Sequence, residues 1–375
     1  MKASSTMRQD SMAGVGKGAQ DATAGVRGHA DDAPVVSVIV PVYKAGAWIG
    51  RCLDCLCGQT LRDFQVIFVD DCSTDASVQA IERAAAADNR IGLVRQERNA
   101  GPGPARNAGI AQARGRYLTF LDVDDRYGSS DYLEVLCNAA GRSRFGVAGA
   151  CLANEHARGR VERDFPEDGL YWGYTLRQSG DVPFGRFQFD YGFHRFVFRR
   201  DLFCDGANRF PGLRYYEDPV FLVRILAQAG GFFAVPDREY LYRCDFRRQN
   251  WSTDKVLDYL EGVRGNLAFS RERELARLHW ATAARLDWEC GKIGVGLKDG
   301  LDLDRIECAL QRVEAEVDEG LLAQMGRVEL PFRFQLRREL EALPGRTGVR
   351  VLAAKAQYGL VNGRLWHALR PYLKR

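Results

Sequence analysis

Three carboxylates, Asp122, Asp124 and Asp125, crowd into the short stretch 116–126, RYLTFLDVDDR. Charges this close repel one another unless a cation or hydrogen-bond donors sit among them. Hard oxygen ligands of this kind suit Mg²⁺ or Mn²⁺, ions commonly shared with substrate phosphates. A solvated acidic turn would look the same in isolation, so the elements that carry the acids have to decide.

Residues 117–121 form a short apolar, aromatic run without Gly or Pro, which predicts a buried strand. Its acids then fall at the carboxyl end, where open α/β sheets hold their ligands. Upstream, the β-branched run 35–40 predicts a central parallel strand ended by Pro41, which cannot donate to a ladder. A helix is expected over 47–57 and a second strand over 65–69, ending in Asp70 and Asp71. Ser73, Thr74 and Asp75 are candidate caps for a helix through residue 87. A third strand follows at 91–95, then a loop over 99–104 and a helix through 113, with Arg106 in its first turn. Strands alternating with helices imply a parallel sheet with right-handed crossovers. Carboxylates at two strand ends face a cation beside a helix terminus, an arrangement that describes a nucleotide-diphosphate cleft. Neither the dinucleotide-binding glycine fingerprint nor a P-loop is present.

The 375 residues allow a large core, and 46% hydrophobic with 27% charged residues is ordinary for a globular chain. With Lys plus Arg at 53 and Asp plus Glu at 49, a net charge of +4 gives no argument for nucleic-acid binding. Residues 1–33 lack an apolar segment and any periodicity, so a disordered tail is expected and no secretory signal is read. The ten cysteines are scattered, and Cys52, Cys55 and Cys57 lack the partner set a zinc site needs. Reduced thiols and a cytoplasmic location follow.

The motifs at 36–43 (VSVIVPVY), 69–75 (VDDCSTD), 101–109 (GPGPARNAG) and 120–125 (FLDVDD) resemble, in order, those of family 2 glycosyltransferases. The resemblance resumes at 196–202 (FVFRRDL) and 215–221 (YYEDPVF). It implies a GT-A fold, an α/β Rossmann-like mixed sheet flanked by helices, and a metal-dependent inverting transfer from a nucleotide-sugar, with UDP-sugars the first expectation. It places Pro41, Tyr43 and Asp71 around the base, with Asp71 accepting a ring N–H and Asp70 as a support for the loop. Arg106 would lie beside base or phosphate. Asp122 and Asp124 match the Asp-x-Asp motif, near ribose and metal, and the ion's share among Asp122, Asp124 and Asp125 stays open. Cys72 departs from the glycine common there.

Asp218 reads either as a helix-capping acid, with Pro219 in the first helical position, or as the base that takes the acceptor hydroxyl's proton. The resemblance favours the base, with Glu217 as orienting neighbour or substitute. Aromatic residues of 141–195, among them Tyr171, Trp172, Phe187 and Phe189, suit either sugar stacking or a layer closing the sheet. His194 alone reads as structural. The stretch 241–253 resembles a loop closing over the donor, where many relatives carry a His or Arg and this chain has Arg247 and Arg248 but no His.

The expected organisation is a tail (1–33), a catalytic domain (34–254, split at 140 into nucleotide-sugar and acceptor halves) and a helical C-terminal region (255–375). The acceptor would be a hydroxyl of a glycan or lipid-linked molecule. Residues 345–375 hold seven Lys or Arg and no acid. There Leu365, Trp366, Leu369, Tyr372 and Leu373 share one helical face, which suits either packing on the catalytic domain or a peripheral contact at the membrane's inner face. Two other classes share some features. A phosphohydrolase with an Asp-x-Asp nucleophile would carry it on the first strand, and a non-catalytic sugar-binding scaffold would have lost its acids.

Overall fold

The computed structural model describes residues 33–156, 159–204, 206, 208–244, 251–296 and 302–326. Arg247, Arg248, the N-terminal 32 residues and the basic 345–375 segment lie outside the described residues. The chain runs β1 (Val36–Val42), α1 (Ile49–Cys57), β2 (Phe64–Asp70), α2 (Ser77–Ala87), β3 (Ile91–Arg95), α3 (Pro102–Gln112) and β4 (Tyr117–Phe120). It continues through β5 (Arg126–Tyr127), α4 (Tyr132–Arg142), β6 (Val147–His156), β7 (Val161–Glu162), β8 (Gly180–Pro183), α5 (Phe184–Phe187) and β9 (Phe196–Arg199). The last elements are α6 (Glu217–Ala229), β10 (Gly231–Cys244), α7 (Thr253–Glu272), α8 (Ala276–Gly296), α9 (Leu303–Glu314) and α10 (Glu319–Gln324).

One sheet organises them in the order β3-β2-β1-β4-β9-β6-β10-β5, with β7 on β6 and β8 on β10. The half containing β3, β2, β1 and β4 is parallel, as the alternating pattern predicts. β9 runs antiparallel between β4 and β6, and β10 returns parallel to β6. This mixed α/β sheet with helices on both faces is the GT-A arrangement.

Side chains alternate across β1, so Val36, Val38 and Val40 pack with Ile49 and Leu56 of α1 and Leu136 of α4. Ile39 turns to the opposite face and packs with α3, α6 and the aromatic layer. There Phe120 meets the rings of Phe193, Phe210 and Phe221 at 5.4, 5.4 and 5.8 Å. Trp172, Phe187 and Phe189 are buried in this same core, so these aromatics close the sheet rather than wait for a sugar. Val256, Leu260, Val263 and Leu267 of α7 also belong to it, so the helices after β10 share the core of the sheet. Among the described residues no helix is long and apolar enough to cross a membrane.

Three local expectations are corrected. Pro41 does not end β1, which continues to Val42 with Pro41 opposite Val69. Pairing with β4 stops at Ile39 opposite Phe120, so the missing N–H faces no strand. α3 begins at Pro102, which places both prolines of its start in the first turn, where their N–H groups would go unpaired anyway. Arg106 therefore sits in the second turn, not the first. α6 begins at Glu217, so Asp218 and Pro219 lie inside its first turn and the N-cap is Tyr216, with no side-chain cap bond.

Candidate active site

The chain leaves β4 at Phe120 and turns through the three acids at the carboxyl edge of the parallel strands. Asp125 is 1% exposed. One of its oxygens accepts from the Tyr240 hydroxyl at 2.8 Å, and the other from the Arg243 backbone N–H at 2.7 Å. Tyr240 also accepts from the Asp122 backbone N–H at 3.1 Å, so β10 fixes the whole loop. Burial, then the charges of Asp122 and Asp124, push the Asp125 carboxyl well above the ordinary range, against these two bonds.

Asp122 behaves oppositely. Burial would raise its pKa, but the Arg106 guanidinium outweighs it and holds the carboxyl low. Arg106 is 4% exposed and lies over the rings of Phe193 and Phe210, 4.6 and 5.3 Å from their centroids. It donates to Asp122 Oδ1 at 2.9 Å and to Glu217 Oε1 at 2.9 Å. Burial opposes its charge, and the two carboxylates more than restore it. Arg106 thus bridges Asp122, after β4, to Glu217, at the start of α6.

Asp218 stands next in the chain, half-buried at the start of α6. Burial and the neighbouring Glu217 charge raise its pKa well above the ordinary value, with Arg106 opposing. Among the described residues its carboxylate has no ion pair and no hydrogen bond to another residue. The capping role is not what occupies it.

At the far end of the edge, Asp71 accepts from the Ala100 and Gly101 backbone N–H groups, both at 2.8 Å. It ties the loop before α3 to the end of β2. Asp70 takes the Ser73 N–H at 3.2 Å, the supporting role expected of it. Tyr43 is 48% exposed just past β1, beside the half-buried Pro41, with Lys44 Nζ 5.1 Å from its ring centroid. Cys72 has φ +65°, the left-handed conformation that explains a glycine preference there.

Oxygens of Asp122 and Asp125 and a ring nitrogen of His194 lie within 4.8 Å of one another. His194 is 6% exposed and its Nδ1 has no hydrogen-bond partner among the described residues. Burial lowers its pKa to about 4, so at neutral pH it is an uncharged imidazole. A neutral imidazole with carboxylate oxygens fits a divalent cation, Mn²⁺ better than Mg²⁺. Sequence reasoning passed over His194, because no local pattern links it to the acids after β4. Tyr242, 39% exposed, stacks on His194 at 5.8 Å.

Acids at the carboxyl edge of the sheet are thus joined through Arg106 to the acid pair that opens α6. The family described as Glycosyl transferase family 2 matches residues 37–205. The succinoglycan biosynthesis protein ExoO of Rhizobium meliloti (strain 1021) is 31% identical over 250 residues, covering 65% of this chain and 70% of that protein. An uncharacterized glycosyltransferase EpsJ of Bacillus subtilis (strain 168) is 30% identical over 218 residues, 56% of this chain and 61% of that protein. The crystal structure of S. aureus TarS 1–349 in complex with UDP-GlcNAc superposes with a TM-score of 0.62 at 19% identity, covering 86% of this chain and 91% of that one. The chain belongs to glycosyl transferase family 2 and is a glycosyltransferase. That assignment removes the phosphohydrolase and scaffold alternatives.

Proposed function

We propose that the protein is an inverting, metal-dependent glycosyltransferase. It would move a sugar from a nucleotide-sugar, a UDP-sugar first, to a hydroxyl of a glycan or lipid-linked acceptor. The observation that carries this reading is Asp218, whose carboxylate has no hydrogen bond or ion pair to another residue among the described residues, while its neighbour Glu217 is locked to Arg106. The relatives' role in polysaccharide biosynthesis and the UDP-GlcNAc complex of a similar fold support the substrate class.

In this reading Asp218 accepts the proton of the acceptor hydroxyl as its oxygen attacks the anomeric carbon. The bond from that carbon to the diphosphate breaks on the opposite face, and the diphosphate leaves with the electron pair. Glu217 holds Arg106, and through it Asp122, in register with the base. Asp122, Asp124 and Asp125, with His194, would hold the cation, which when bound neutralises charge growing on the diphosphate. Tyr43 and Pro41 supply a face for the base, and each Asp71 oxygen keeps a lone pair for a ring N–H. Arg247 and Arg248 are assigned to the diphosphate on the resemblance alone.

The test is Asp218→Asn, assayed with Mn²⁺ against a panel of UDP-, GDP- and dTDP-sugars. Donor binding should persist while turnover falls by about 10²–10⁴-fold. Turnover near wild type would move the base elsewhere, with Glu217 next.

A further inference from the structure

Tyr216 holds φ +70° immediately before the acid pair. A bulky side chain there costs on the order of 1–3 kcal/mol and persists only where the surroundings over-determine it. Two grips do so, and neither comes from the parallel strands.

The first grip is steric. The Tyr216 ring lies in a notch of α7 at Gly262, where an added Cβ would come within 2.8 Å of Tyr216 Cδ1. Tyr259 of the same helix meets the ring edge-on at 5.3 Å.

The second grip is polar. The Tyr216 hydroxyl donates to Asp190 Oδ2 at 3.2 Å. Asp190 is 0% exposed, and its other oxygen accepts from Arg285 of α8. Asn266 of α7 donates to Asp190 Oδ2 at 3.4 Å. Arg285 is itself fixed by its Nε bond to the Ala281 carbonyl at 3.2 Å and by the Tyr191 ring, 4.3 Å away. Stability alone does not call for such a network, since a buried ion pair is commonly matched or bettered by apolar residues of similar volume. A phenylalanine would fill the notch equally well.

We propose that α7 and α8 belong to the catalytic unit, with Arg285, Asn266 and Asp190 as positioning residues that act through Tyr216 to aim the Asp218 carboxylate. The proposal rests on Asp218 as the base. It assigns the helices after β10 a part in the reaction that none of their residues performs by touching substrate.

Tyr216→Phe keeps the ring and removes only the link to Asp190, so the fold should hold. With the fastest-turning nucleotide-sugar of the panel, kcat should fall about 10- to 100-fold, the cost of a misaimed group, while donor KM stays within about twofold. In the Asp218→Asn background the same change should cost nothing further, because there is no base left to aim. Hydrogen exchange supplies a readout that needs no substrate. The Phe221 and Leu222 amides, bonded to the carbonyls of Glu217 and Asp218, should exchange about tenfold faster in Tyr216→Phe. Full kcat in Tyr216→Phe, a loss that adds to that of Asp218→Asn, or unchanged exchange would each overturn the positioning role and leave the base assignment standing. Wild-type turnover in Asp218→Asn alone would instead remove the base, and the positioning role with it.

Discussion

The acids after β4 and the acids that open α6 meet at Arg106, yet they are held in different ways. Asp122, Asp124 and Asp125 follow a central strand, and β10, a later strand of the same sheet, fastens their loop through Tyr240 and the Arg243 N–H. Glu217 and Asp218 start a helix whose first backbone angle is set by α7 and α8. The first group is rigid because the sheet is rigid. The second depends on one residue held in a costly conformation by distant helices. On the proposed function this gives a fixed end for donor and metal and an adjustable end for the acceptor, and each contrast below tests that division.

The largest effect is expected at the fixed end. Asp124→Ala, or chelation of the wild type, should abolish donor turnover and weaken Mn²⁺ binding followed by EPR, with the thermal melt little changed. Full turnover under chelator would count against the cation.

Arg106→Met should break both ends together, because it strands buried carboxylates without a counter-charge. A loss of about 3–5 kcal/mol in denaturant unfolding is expected, with Arg106→Lys intermediate. A stability change below about 1 kcal/mol, the value of an exposed pair, would show that the bridge is not buried in solution.

A smaller and more specific effect is expected at Glu217. Asp218 must be ionised to act as a base, and its raised pKa means that turnover is lost as pH falls from a point well above the ordinary value of about 3.9. Glu217→Gln removes a charge that raises this pKa and frees Arg106, which lowers it. The acid limb of the kcat profile should therefore move to lower pH. An unmoved limb, or one moved upward, would detach Asp218 from the profile.

The smallest effect is expected at Cys72, outside both acid groups. Cys72→Gly relieves a left-handed backbone and should raise stability by about 0.5 kcal/mol, once the greater chain entropy of glycine is subtracted. The urea midpoint reads it, and a lower midpoint would mean that the thiol packs against more than the Glu97 carbonyl it approaches at 3.9 Å.

The sequence by itself determined the parallel half of the sheet and the edge on which its acids fall. Short continuous runs of β-branched and aromatic residues specify buried strands from local chemistry alone, and the acids that follow mark their carboxyl ends. Ordered motifs extended this to the family and to Asp218. Only the tertiary structure decided what each acid touches. Arg106 reaches Glu217 across 111 positions, and Asp125 meets Tyr240 across 115, separations that no periodicity encodes. His194 became a neighbour of Asp122 only because β9 inserts its preceding turn beside β4. Tyr216 looks like any aromatic before a helix. Its positive φ exists because a glycine notch on α7 and a buried carboxylate hold the ring and hydroxyl from opposite ends, and only the packed chain brings those together.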